Sequence, residues 1–376
     1  MAAPADTGRD ELSAYLSLAQ IPGIGAARLR TLVAAFGSAG GALVAPHGAI
    51  AALPGFGPAA ATAVRASGRR AGEAILTDLD RLGATVILPG DAAYPPLLSE
   101  IAEPPAALYL WGNASLLARP AAAIVGSRNH TTYGAEATRL LAGGVARAAV
   151  VVSGMARGLD AIAHQAALDA GGDTIGVLGN GFGVIYPVGN RALYERVAAA
   201  GCLLTELSPG ERPRVSTFPR RNRIIAGLAG VTVVVEAAVG SGALITADCA
   251  LDQGRSVLAV PGPITSPTST GCNKLIQQGA KPALCVADVL EELGLSVAAE
   301  DTSGGVRAPH AGRRASPADL NPLQRTLWES IAAQSAHVDA LVLGSGVDVG
   351  TVLTALTELE MRGLVVQRPG MIFALE

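Results

Sequence analysis

Val151-Val152-Ser153-Gly154-Met155-Ala156-Arg157-Gly158-Leu159-Asp160 reads as the end of a buried strand, a tight turn and the start of a helix. The run 149–152 is apolar at every position, as expected of a strand covered on both faces of its sheet. Small residues follow where the chain leaves the sheet. Asp160 stands at the head of a helical pattern through His164 and Leu168, placed to cap it. Strand, small-residue turn and helix make the repeating unit of a parallel α/β sheet.

The unit recurs outward in both directions. Further candidate strands are 122–125, 174–178, 203–205, 231–236 and 256–260, most followed by Gly or Ser and then a helical pattern. This predicts a doubly wound α/β core, whose ligands lie beyond the carboxyl ends of its strands. Three more small-residue stretches sit at such positions: Gly126-Ser127-Arg128, Ser241-Gly242 opening the run to Thr246, and Gly271-Cys272-Asn273-Lys274. Ser153 and Gly154 would leave backbone donors open toward a phosphate.

Between the fourth and fifth strands lies Phe218-Pro219-Arg220-Arg221-Asn222-Arg223-Ile224-Ile225-Ala226-Gly227-Leu228, preceded by Arg212 and Arg214. Positions 212–223 hold five arginines and no acidic residue, in a chain of net charge −3. Guanidinium forks suit phosphate, and a ring such as Phe218 suits a base. A local basic patch on a near-neutral chain points to a defined anion site. Four turns and these arginines on one sheet edge predict an extended polyanion groove.

Other chemistries fit less well. Gly179-Asn180-Gly181-Phe182-Gly183 lacks the third glycine of a dinucleotide loop, since Val184 stands there, and Tyr186-Pro187 interrupts the next helix. A tight turn shaping the sheet edge is the better reading, and no cofactor is expected. Glu206, Glu236 and His164 fall near the same edge, but no nucleophile has an adjacent base, so structural hydrogen bonding is expected of them. The four cysteines have no zinc-like spacing. The first residues carry Asp6, Arg9, Asp10 and Glu11 with no apolar stretch, so no signal peptide or membrane span is expected, and a cytoplasmic location is.

The flanks differ from the core. Ile21-Pro22-Gly23-Ile24-Gly25 and Leu53-Pro54-Gly55-Phe56-Gly57 each precede a helical run, which is similar to a duplicated helix-hairpin-helix. Residues 296–318 are rich in small and polar residues and read as a linker. Beyond them, Asn321-Pro322 suggests an N-cap and first helical position. Three helical patterns and a strand pair over 364–367 and 371–374 predict a winged helix. The expected domains are 1–75 (helix-hairpin-helix, SAM-like), 76–296 (core), 297–316 (linker) and 317–376 (winged helix).

Taken in order, GSR at 126–128, SGxAxGxD at 153–160, FPxRNRIIAGL at 218–228, SGALIT at 241–246 and GCNKLIQQGA at 271–280 resemble the DNA-processing protein A family (DprA, also called Smf). The resemblance runs the length of the chain. It implies an extended Rossmann-like core that binds single-stranded DNA without catalysis, loads the RecA recombinase during natural transformation, and forms a homodimer through the core. By motif position the DNA ligands would be Arg128, Ser153, Gly154, Phe218, Arg220, Arg221, Asn222, Arg223, Asn273 and Lys274. The residue reading adds Ser127, Arg214, Ser241 and Gly242. Members of the family often carry a lysine three residues before the Phe-Pro pair, where this chain has Val215 with Arg214 beside it. The alternative is a nucleotide-processing enzyme resembling Rossmann-like phosphoribohydrolases. Their PGGxGTxxE-type loop would fall at 239–246, which lacks both the glycine pair and the carboxylate. Duplex recognition through the winged helix is disfavoured, because 317–376 holds seven acids against three arginines and the helix expected over 348–361 has no Lys or Arg.

Overall fold

A computed structural model describes residues 4–295, 320–334, 336–362, 364–368 and 371–375. The expected linker at 297–316 lies outside the described residues. The chain divides into two units, Met1–Val297 and Ala298–Glu376.

In the first unit, one sheet joins β1 (Thr85–Ile87), β2 (Leu108–Gly112), β3 (Ala121–Val125), β4 (Val150–Ser153), β5 (Thr174–Val177), β6 (Cys202–Thr205), β7 (Val231–Val234), β8 (Ser256–Ala259) and β9 (Lys281–Pro282). Their order is β1-β2-β6-β5-β4-β3-β7-β8-β9. From β6 to β9 every pairing is parallel, for instance Ile124 beside Val233 and Val152 beside Ile175. β1 and β2 close one edge in antiparallel fashion. The six expected strands are all present. β3, β4, β5, β6 and β7 are buried at every position because helices cover both faces, which is why their sequences do not alternate. Two clusters fill the layers, one around Val152, Val177, Ile224 and Val234, the other around Ile124, Val151, Leu141 and Val233.

The first part of this unit is helical. Gly23 and Gly55 turn the two hairpins with φ of 81° and 79°. Gly25 and Gly57 then cap the helices Ala26–Phe36 and Pro58–Ala66. Arg28 ties the hairpins together: its Nη1 donates to the Gly23 carbonyl at 2.9 Å, and its guanidinium lies 5.6 Å from the Phe56 ring centroid.

The second unit packs helices Pro322–Ala333, Val338–Ser345 and Val349–Met361 with a small sheet of β10 (Ala336–His337), β12 (Ile372–Ala374) and β11 (Val366–Arg368), in that order. Asn321 and Gln324 form a reciprocal capping box at the first helix, with Pro322 at its first position. Leu327, Ile331, Val352, Leu356 and Phe373 make its core. This is a winged helix. Among the described residues no single helix is long and apolar enough to cross a membrane.

Candidate nucleic-acid interface

The connections from β3 lead through β4 and β5 to β6 on one side, and those from β7 lead to β8 and β9 on the other. β3 and β7 are neighbours, so the chain diverges there and leaves a crevice beyond their carboxyl ends. The helix Thr217–Leu228 runs back across the sheet with its first turn at this same edge, where the Thr217 hydroxyl donates to the Gly179 carbonyl at 2.7 Å.

The crevice has two adjoining parts. A pocket of about 430 Å³ is lined by Arg128, Gly154 to Arg157, Gly179, Tyr186, Phe218 and Arg221. A wider groove of about 600 Å³ shares Arg128, Ala156, Tyr186, Phe218 and Arg221 and extends past Ser127, Val215 and Asn222 to the Ser241-Gly242 turn. Phe218 stands between the two. Its ring centroid lies 5.7 Å from the Arg128 guanidinium carbon and 5.4 Å from the Tyr186 ring, tilted 40°. Gly179 makes room for it, since a Cβ there would meet the Phe218 ring at 2.8 Å. The Gly179–Gly183 stretch is thus a packing turn, held by the Asn180 amide donating to the Val184 carbonyl at 2.8 Å. Arg128 and Arg157 are exposed and make no hydrogen bond or ion pair among the described residues. A cation–aromatic stack beside a second open guanidinium group is chemically matched to a base and its flanking phosphates.

Beneath this surface lies a buried charge. Arg221 is only 5% exposed. Its Nη1 donates to the Gly154 carbonyl at 2.6 Å and also to that of Val177. Asp160 is buried beside it and accepts from the Ala156 and Gly126 amides; burial raises its carboxyl pKa, opposed by the pull of Arg221. Both side chains close on Gly154, where a Cβ would meet Arg221 Nη2 and Asp160 Oδ2 at 2.6 Å each. The SGxAxGxD pattern is therefore set by packing at Gly154 and by a φ of 84° at Gly158. His164 is buried, its Nδ1 2.7 Å from the Thr174 hydroxyl. Burial and then the Arg221 charge lower its pKa to about 3, so it is neutral there.

Several residues expected as ligands have side chains engaged within the fold. Arg221 is the clearest case: it lines the crevice but is buried, and its Nη1 is held by two backbone carbonyls. Ser153 is fully buried and donates to the Ile124 carbonyl at 2.7 Å. Asn222 is nearly buried and holds the Gly242 carbonyl at 3.1 Å. Gly271–Lys274 is no turn but part of the helix Thr270–Gln277, and Asn273 brackets Gly262 through both its carbonyl and its amide. Lys274 is exposed but lines neither part of the crevice. Gly154 lines the pocket without its side facing open space. Ser127, Ser241 and Gly242 do line the groove, with the Ser241 hydroxyl accepting from the Ala243 amide at 3.3 Å.

Arg220 and Arg223 face away from the crevice and pair with Glu206, which is 8% exposed; Arg214 lies on that same far side. Glu236 accepts from the Thr131 amide at 2.9 Å and from the Thr131 and Thr268 hydroxyls. The two strand-end carboxylates are thus held as structural acceptors, as the sequence suggests. Tyr186 and Arg157 also line the crevice and were not among the residues expected there. The signals for them were an aromatic three residues after the Gly179–Gly183 turn and a lone cation inside the SGxAxGxD loop.

The family described as DNA recombination-mediator protein A matches residues 85–294, and the DprA winged helix domain matches residues 311–371. The chain is 39% identical over 307 residues to a putative DNA processing protein DprA of Mycobacterium tuberculosis, covering 78% of this chain and 77% of that one. It is 45% identical over 202 residues to DNA processing protein DprA of Streptococcus pneumoniae, covering 54% and 72%. The crystal structure of DprA from S. pneumoniae superposes with a TM-score of 0.61 at 32% identity, covering 76% of this chain and 99% of that chain. A structure of DNA processing protein A from Helicobacter pylori, whose subject is its single-stranded DNA binding mode, gives 0.51 at 29% identity, covering 56% and 95%. The chain belongs to the DNA recombination-mediator protein A family.

Proposed function

We propose that this chain is a non-catalytic single-stranded DNA-binding protein of the cytoplasm. It protects incoming strands and loads RecA onto them in natural transformation and homologous recombination, and it acts as a homodimer joined through its α/β core. The observation that carries the DNA-binding part is the Arg128–Phe218–Tyr186 stack in the crevice at the β3–β7 switch point. The proposed ligands are Arg128, Arg157, Phe218 and Tyr186, with Ser127, Ser241 and Gly242 along the groove. The H. pylori relative's single-stranded DNA binding supports the ligand class. RecA loading and the dimer are supported by family membership. The engagement of Glu206 and Glu236 in structural contacts supports a role without acid–base chemistry.

A base must leave its stack to lie against Phe218, which a flexible strand permits and a blunt duplex resists. Affinity for single strands is expected to exceed that for a duplex of matched length, and to fall steeply as salt rises. Fluorescence anisotropy at several salt concentrations measures both. Equal affinities would refute the crevice as a single-strand site.

The winged helix carries an acidic excess, and its helix Val349–Met361 has no cation to offer phosphate. Deleting 317–376 is expected to weaken single-strand binding by less than about tenfold, or 1.4 kcal/mol. A larger loss, with the core still folded by circular dichroism, would assign that domain to the DNA site.

A further inference from the structure

We propose that a second groove, between the first hairpin and the helix Thr217–Leu228, carries the phosphate backbone of the same strand onward from the Phe218 pocket. The proposal rests on the single-strand reading above and extends it. The groove holds about 920 Å³ and is lined by Ile21–Ala27 of the hairpin region on one side and by Glu206–Ser208, Arg214, Arg220 and Arg223 on the other. Its walls are fixed to each other. Ser208 Oγ donates to Gln20 Oε1 at 3.0 Å, and the Tyr15 hydroxyl donates to the Ala106 carbonyl at 3.1 Å.

The charge in this groove is unevenly committed. Five arginines (28, 30, 214, 220 and 223) face three glutamates (103, 206 and 211). Glu206 is almost fully covered and held by both Arg220 and Arg223, and Arg28 is bound to the hairpin. The side chains of Arg30 and Arg214 are exposed and make no hydrogen bond or ion pair among the described residues. The backbone start of the helix Ala26–Phe36 opens on the same groove without a side-chain cap, adding partial positive charge to the excess the arginines supply.

Helical spacing explains how the two grooves meet. Along Thr217–Leu228, positions 218, 221, 222 and 225 line the first crevice, while 220 and 223 line the second. The segment leading into the helix is the ridge between them, with Val215 on one side and Arg214 on the other. A strand stacked on Phe218 that passes over Val215 arrives at Arg214. The only aromatic side chain lining the second groove, Tyr109, is buried, so the contact is with phosphates and independent of sequence.

The test is an anisotropy titration of the full chain with oligothymidylates of about six and about 25 nucleotides, bracketing the reach of one pocket. The Arg30→Ala/Arg214→Ala double variant is expected to bind the longer strand about tenfold more weakly, with a salt slope shallower by about 1.4 for two lost phosphates. Its affinity for the short strand is expected to stay within about twofold of the unmodified protein. Arg139→Ala, which removes an exposed cation lining neither groove, is expected to change neither. No loss on the longer strand, equal loss on both lengths, or a matching loss in Arg139→Ala would each overturn the second groove. Arg128→Ala separates the parent reading: if it leaves both lengths bound as before, the Phe218 crevice itself is not the site.

Discussion

Replacing Arg221 by alanine is expected to destabilise the α/β unit by about 3–5 kcal/mol, because it strips a buried carboxylate of its counter-charge. Asp160 is only 7% exposed, and what remains near it is the Ala156 and Gly126 amides and the more distant Arg128 charge. The Gly154 and Val177 carbonyls lose a donor at the same time. At roughly 2–4 °C per kcal/mol for a domain of this size, the melting midpoint should fall by roughly 6–20 °C. Arg221→Glu is expected to be worse, since it sets a second carboxylate against Asp160. The double variant Arg221→Met/Asp160→Asn is expected to recover part of the loss, as an apolar side chain and a neutral acceptor replace the buried charges. Urea denaturation of the four proteins measures this. If Arg221→Ala melts within about 1 kcal/mol of the unmodified protein yet loses DNA affinity, Arg221 is a DNA ligand and not a support for the fold.

That prediction marks where the sequence stops being informative. Five arginines within 212–223 look like one patch when read along the chain. In space the three on the helix separate two ways, because a helix distributes neighbours around its axis. Arg221 lies on the same face as Ile225 and turns into the core, while Arg220 and Arg223, three apart, share the face toward Glu206. The helical period was present in the stretch from Thr217 to Leu228 and distinguishes these faces. What the stretch does not contain is the position of Asp160 and Glu206, the two carboxylates that bind the arginines. The parallel strands were legible because burial on both faces leaves continuous apolar runs such as 121–125 and 150–152. β1 and β2 were not, because they join antiparallel at the edge and lack the small-residue turn and helix that mark the others. The crevice itself was legible only as a sheet edge. Its sharpest feature, Phe218 between Arg128 and Tyr186, joins three segments whose order in the chain says nothing of their contact.

Those three side chains carry the second large effect. Base–aromatic stacking is worth about 1–3 kcal/mol per base when the ring is removed. Phe218→Ala is therefore expected to weaken single-strand binding by roughly 5- to 150-fold. Since the ring also packs on Gly179 and Tyr186, Phe218→Leu is the cleaner variant: it keeps apolar bulk and removes the π face. Phe218→Tyr keeps the face and should bind nearly as well as the unmodified protein. Arg128 acts on the same base position through both charge and stacking. Arg128→Ala is expected to cost about tenfold in affinity and to make the salt slope shallower by about 0.7, one phosphate's share for a single strand. Arg128→Lys retains a cation but loses the flat group that covers the ring, so it should keep the salt slope while losing part of the affinity. Neither Arg128 variant should alter the melting midpoint by more than a degree or two, because the side chain is exposed and its contact with the Phe218 ring is not a hydrogen bond or ion pair. The pattern separates stacking from general charge. If Phe218→Leu binds as tightly as Phe218→Tyr, the ring does not receive a base, and the pocket's attraction for DNA is electrostatic alone.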